Sequence, residues 1–146
     1  MSIPQAANTN SASYAASVAP ASLRGARLRK HADYQRVYAS SRKHQSVSMS
    51  WFLASQPAPA SAPRVGLTAG KVLGKAYERN RIKRRLREIL RRHIQLLPAG
   101  CDLVLHPRRS VLTLDFTKLD AEIVRILMQA KGEAAQARQP ASRPKP

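Results

Sequence analysis

Between residues 71 and 92, ten lysines and arginines surround an aliphatic stripe, and this combination constrains the fold more than any other feature. Ile82, Leu86, Ile89, Leu90, His93, Ile94 and Leu97 recur at the spacing of one helical face. The periodicity predicts one long helix over residues 76–96, stopped by Pro98 and Gly100. The stripe takes one face, so the bases must occupy the rest. Only Glu78 and Glu88 oppose them. Arg81 with Arg84 and Arg85, and Arg84 with Arg87, stand three or four residues apart and repel by about a few tenths of a kcal/mol each. Bases near the helix start also oppose its dipole. Phosphate would offset both costs, and arginine, which outnumbers lysine here, suits bidentate phosphate contacts.

The rest of the chain points the same way. Its 146 residues suffice for one domain, and 26 Lys plus Arg against 8 Asp plus Glu give a formal net charge of +18. A compact domain so charged repels itself unless a polyanion neutralises it, so nucleic acid is the leading partner. A membrane surface comes second and an acidic protein third. The single Cys101 excludes an intramolecular disulfide and a cysteine-based zinc site. His31, His44, His93 and His106 form no pair three or four residues apart, so neither a metal nor any protein-bound cofactor is expected. No apolar run approaches the ~18 residues of a membrane span. Residues 1–23 hold no charge, so the basic start of a secretory signal is missing and a cytoplasmic location is expected.

Composition divides the chain into three. Residues 1–23, rich in Ala and Ser, are expected to be a disordered extension, and 132–146 a basic, proline-rich disordered tail. The domain would occupy 24–131. Within it, Tyr34, Val37 and Tyr38 mark a short helix over 32–39. Residues 47–55 alternate, with Val47, Met49, Trp51 and Leu53 on one face and Phe52 on the other, which predicts a half-buried strand with Trp51 in the core. Residues 64–70 alternate again, 41–45 carry a faint edge strand, and 101–106 form a largely buried one. Asp115 is a candidate N-cap for a last helix with Leu119, Ile123, Ile126 and Leu127 as its buried stripe. The order is that of an α+β fold, helices packed on a mostly antiparallel sheet. By charge and fold alone, a structural RNA-binding protein, a DNA binder and a membrane-active helix all stay open.

Arg79-Asn80-Arg81-Ile82-Lys83-Arg84-Arg85-Leu86-Arg87-Glu88 resembles the arginine-asparagine-arginine signature of the protein subunit of bacterial ribonuclease P. Arg64-Val65-Gly66-Leu67-Thr68-Ala69-Gly70-Lys71 looks like the strand leading into it. Residues 28–38, with Tyr34, Val37 and Tyr38, look like the family's first helix, and Leu97-Pro98-Ala99 followed by 101–105 like its last turn and strand. The resemblance covers residues 24–130.

It implies a two-layer sandwich in the order α-β-β-β-α-β-α, with a left-handed βαβ crossover where the general rule would give a right-handed one. It also implies a protein that joins a large catalytic RNA to remove the 5′ leader from precursor tRNA, the RNA and its Mg²⁺ doing the chemistry. The partners would be that RNA and precursor tRNA, with no membrane and no obligate protein partner. No catalytic constellation is found among the residues, so none is assigned to the chain itself. Arg79, Asn80, Arg81, Lys83, Arg84 and Arg87 would meet the catalytic RNA. Tyr34, Tyr38, Phe52, Lys71 and Arg108 would bind the single-stranded leader in a cleft between the first helix and the sheet, where rings can stack on bases of any sequence. Two departures stand out: Val72 replaces a second lysine, and His106-Pro107-Arg108-Arg109 replaces an alanine followed by two bases. His106 reads as a strand-end surface residue.

Overall fold

The computed structural model describes residues 23–57 and 62–137. Three helices, α1 (His31–Ser40), α2 (Ala76–His93) and α3 (Phe116–Ala137), accompany four strands, β1 (His44–Gln45), β2 (Met49–Ser55), β3 (Arg64–Leu67) and β4 (Cys101–Pro107). The strands form one sheet in the order β1-β2-β4-β3. β1 and β2, and β2 and β4, are antiparallel, whereas β3 runs parallel to β4. The architecture is the α+β expected.

Strand alternation separates two cores. On one face Met49, Trp51, Leu103, Leu105 and Val65 meet the stripe of α2 (Ile82, Leu86, Ile89, Leu90) and that of α3 (Leu119, Ile123, Ile126, Leu127). Each fully buried side chain of this size contributes roughly 1.5–3 kcal/mol, so this cluster dominates stability. Trp51 also stacks on His44 at 4.1 Å. On the opposite face α1 covers a smaller cluster of Leu28, Val37, Ala54 and Val104. The α2–α3 layer is thus the main helical layer, and α1 lies alone across the sheet from it.

Local chemistry explains the boundaries. The Asp115 carboxylate accepts the Thr117 and Lys118 N–H groups at 3.1 and 3.3 Å, the cap the sequence suggested. α2 starts where Glu78, in its first turn, accepts the Lys75 N–H at 2.9 Å, and a tight turn at Ile94–Leu96 ends it.

Three expectations shift. Leu23, placed in the extension, is 7% exposed and belongs to the main core. α3 continues to Ala137, six residues into the expected tail. Ala130 and Ala134 prolong its buried stripe by one turn, and Glu133 reaches His44 at 3.0 Å. Val47, expected on the apolar face, is 78% exposed, because it sits in the turn before β2. The buried Glu122 of α3 holds that turn by accepting from Ser46 Oγ (2.6 Å), Ser48 N (2.8 Å) and Ser48 Oγ (2.7 Å). The remainder of the expected extension and tail, 1–22 and 138–146, lies outside the described residues.

Candidate nucleic-acid interface

The bases of α2 separate into two groups once their partners are known. Arg91 and Arg92 pair with Glu88 at 2.8 and 3.1 Å. Arg85 donates to the Leu112 and Leu114 carbonyls, and Arg85 and Arg92 both lie over the Phe116 ring, at 5.8 and 5.3 Å. These three arginines build the fold. Arg79, Arg81, Lys83 and Arg84 make no ion pair among the described residues, and Asn80, Arg81 and Arg84 are exposed. The Arg79 Nε is buried without a hydrogen-bond partner. The two acids of the segment serve structure: Glu88 as above, and Glu78 by accepting from Arg109 at 2.8 Å. Those partners hold both carboxyls well below the usual range, at about 2.

Arg87 departs from this group. It turns toward Arg27 and Tyr34, and with Leu28, Val65 and Leu67 they line a small cavity of about 40 Å³. Neither guanidinium has an acidic partner among the described residues, and the Arg87 Nε is buried without a hydrogen-bond partner. Burial, with the Arg27 charge adding to it, pushes the Arg87 pKa down. Two guanidiniums thus share one small cavity with no acid beside them among the described residues.

Three predicted leader residues come together. Tyr34 and Tyr38, one turn apart on α1, have ring centroids 6.5 Å apart, and Phe52 meets Tyr38 edge-on at 5.1 Å. All three are half-buried, resting on the small α1 cluster. Tyr34 donates to the Leu28 carbonyl at 3.2 Å, and it presses on β3 at Gly66, where an added Cβ would lie 2.6 Å from its hydroxyl. The Gly66 of the strand motif is there to admit Tyr34.

Lys71 and Arg108 are placed differently. The exposed Lys71 opens a short turn, Lys71–Leu73, beyond the end of β3. Because β3 and β4 are parallel, that turn leaves the sheet at the same end as Arg108. Arg108 is tied to the β1–β2 turn, donating to the Ser46 and Val47 carbonyls at 3.0 and 3.2 Å and to Gln45 Oε1. It is no free cation.

Two residues escaped sequence reasoning. His106, read as a strand-end surface residue, is half-buried inside the ring group, its Nε2 2.9 Å from the Tyr38 hydroxyl. Strand alternation carries the signal: His106 follows Val104 by two and so shares the α1 face. Asp102 is wholly buried and gathers Arg36 from α1, Arg64 from β3 (2.9 and 2.8 Å) and Gln56 (3.2 Å). It bolts α1 to the sheet. Among the described residues no three of His, Cys, Asp and Glu gather to hold a metal, and no helix is long and apolar enough to cross a membrane.

Comparison with known proteins matches this arrangement to one family. The ribonuclease P family model covers residues 23–131. The chain belongs to the ribonuclease P protein family. The ribonuclease P protein component of Thermobifida fusca is 32% identical over 118 residues, covering 75% of this chain and 80% of that protein. That of Chloroflexus aggregans is 37% identical over 108 residues, covering 73% and 78%. The solved ribonuclease P protein of Thermotoga maritima superposes with a TM-score of 0.62 at 26% identity, over 70% of this chain and 96% of that one. The match of fold and sequence makes this chain a protein component of ribonuclease P.

Proposed function

We propose that this chain binds the catalytic RNA of ribonuclease P and, within that particle, the single-stranded 5′ leader of precursor tRNA, so that the leader is removed at the mature 5′ end in the cytoplasm. The observation that carries the reading is the set of unpaired bases on α2. Arg79, Arg81, Lys83 and Arg84 are left over after the fold has used its acids, and a polyanion is what they lack. Asn80 stands exposed between two of them, ready to hydrogen-bond a base edge or sugar. This face would meet the catalytic RNA by neutralising phosphates.

The rings of Tyr34, Tyr38 and Phe52 would take the leader. Each base stacked on such a ring contributes about 1–3 kcal/mol whatever its identity, which suits leaders of varied sequence. The cavity between Arg27 and Arg87 lies beside Tyr34, so a leader phosphate could be held next to a stacked base. Lys71 and Arg108, at the strand ends, would extend the track: Lys71 as a free charge, Arg108 through what its bonds to the turn leave exposed. The chain is assigned binding and positioning alone, with Mg²⁺ on the RNA supplying the hydrolytic chemistry.

The test is cleavage of a precursor tRNA at low Mg²⁺ by a bacterial ribonuclease P RNA alone, by the protein alone and by the two mixed. Cleavage at the mature 5′ end in the mixture only is the expected result. RNA binding with no change in cleavage would point to a purely structural RNA-binding role, and cleavage by the protein alone would overturn the division of labour.

A further inference from the structure

We propose that His106 is a positioning residue of the leader platform, holding the Tyr38 phenol from the sheet side. The proposal rests on the leader reading of the ring group, and it adds a member that neither the arginine signature nor the aromatic pattern contains.

Three observations carry it. The His106 Nε2 and the Tyr38 hydroxyl are 2.9 Å apart, and this is the only hydrogen bond of that hydroxyl among the described residues. The imidazole also meets the Tyr38 ring edge-on, centroids 5.5 Å apart at 83°, and the Phe52 ring at 5.1 Å. The strand register places His106 beside Phe52 on the face that α1 covers. His106 pairs with Ser50 and Val104 with Phe52, so His106 and Phe52 are diagonal neighbours on the α1 face.

Each tyrosine of the platform therefore has its own anchor. Tyr34 is held by the Leu28 carbonyl and the bare backbone of Gly66. Tyr38 stands two residues from the end of α1, and His106 fixes its hydroxyl. Burial, with the Lys43 charge adding to it, pushes the His106 pKa down. The ring is thus neutral near pH 7, and one partner of the pair donates to the other. A ring already fixed in place need not be ordered when a base stacks on it, and the leader keeps that part of its affinity.

The experiment uses the holoenzyme assembled from this chain and a bacterial ribonuclease P RNA, and measures Kd for one precursor tRNA and for the mature tRNA. His106→Leu should weaken precursor binding by about 3- to 10-fold, the cost of leaving one side chain to be ordered, with mature tRNA unaffected. His106→Gln, whose amide can reach the same hydroxyl, should restore most of the loss. Tyr38→Phe keeps the ring and removes only the bond, so it reads the same interaction even if a His106 variant folds poorly. The double variant His106→Leu with Tyr38→Phe should then lose less than the two single losses combined. Equal loss on both tRNAs, strict additivity, or a glutamine as poor as leucine would overturn the role of His106. If Tyr34→Ala and Tyr38→Ala themselves fail to separate precursor from mature tRNA, the leader reading falls. If they separate the two while His106→Leu does not, only the role of His106 falls.

Discussion

Gly66 has no side chain because Tyr34 occupies the space one would need. Gly66→Ala should cost about 1–3 kcal/mol, the usual penalty for forcing atoms into a filled site. It should also displace Tyr34, so a thermal melt and the precursor-to-mature affinity ratio should fall together; a lower melting point with the ratio intact would separate Tyr34 from the leader. Asp102→Ala acts on α1 through Arg36, in the middle of the helix. Removing this wholly buried carboxylate takes from Arg36 and Arg64 their closest shared partner and leaves them Asp33 as the one acid, at 3.6 and 3.4 Å. Both guanidiniums are partly exposed, so the loss should be about 1.5–3 kcal/mol, the scale of hydrogen bonds to a charged group. Chemical denaturation would measure it, and a loss under about 1 kcal/mol, the scale of an exposed pair, would contradict the picture of Asp102 as the bolt. At this scale the sequence was only partly legible. Tyr34, Tyr38 and Phe52 could be grouped because helical and strand periods put them on facing surfaces. Asp102 could not, because its partners Arg36 and Arg64 lie 66 and 38 residues away in the chain and no local pattern joins them. His106 was legible in principle from alternation, but its place at a strand end suggested solvent.

At the scale of the elements, α2 was the clearest because two signals coincide in it: the stripe that buries it and the charge that surrounds it. Its arginines were less clear. Sequence alone groups Arg87 with Arg81 and Arg84 and gives Arg85 no role, whereas the structure gives Arg85 to the Leu112 and Leu114 carbonyls and turns Arg87 toward Arg27. The two groups should therefore behave differently. Arg81→Ala with Arg84→Ala should leave the fold intact and lower the log–log salt slope of binding to the catalytic RNA by roughly 0.7–0.9 for each phosphate no longer neutralised. Arg85→Ala should instead lower thermal stability, since it strips two carbonyls and a ring of their donor. An unchanged slope in the first pair would mean those side chains face solvent in the particle. The ends misread by sequence, at Val47 and beyond residue 131, have separate causes. Val47 leaves the sheet where Glu122 holds the β1–β2 turn, a long-range contact that periodicity does not report, whereas α3 runs past residue 131 on a stripe that Ala130 and Ala134 continue.

For the whole molecule, the decisive fact is where its 8 acids go. Asp33, Asp102, Glu78, Glu88 and Asp120 pair with arginines. Asp115 caps α3, Glu122 ties down the β1–β2 turn and Glu133 holds His44. No Asp or Glu side chain is left to answer the free bases of α2, so among the described residues the fold uses its acids internally. Acid should then attack the protein in two ways at once. Glu78 and Glu88 are held at about 2 against an ordinary 4.5. A depressed carboxyl stabilises the fold fully above its unfolded value, and that contribution is lost as pH falls from about 4.5 toward about 2. Over the same window each protonation adds to a charge that is already +18 at pH 7, which increases self-repulsion. The melting temperature should fall steeply below about pH 4.5 and recover in part with added salt, which screens the repulsion without restoring the pairs. Because Glu78 binds Arg109 across the start of α2, Glu78→Gln should melt lower than the parent near about pH 6 and converge with it near about pH 2. Parallel curves, offset by the same amount at every pH, would show that the Glu78 charge does not hold that end of the helix.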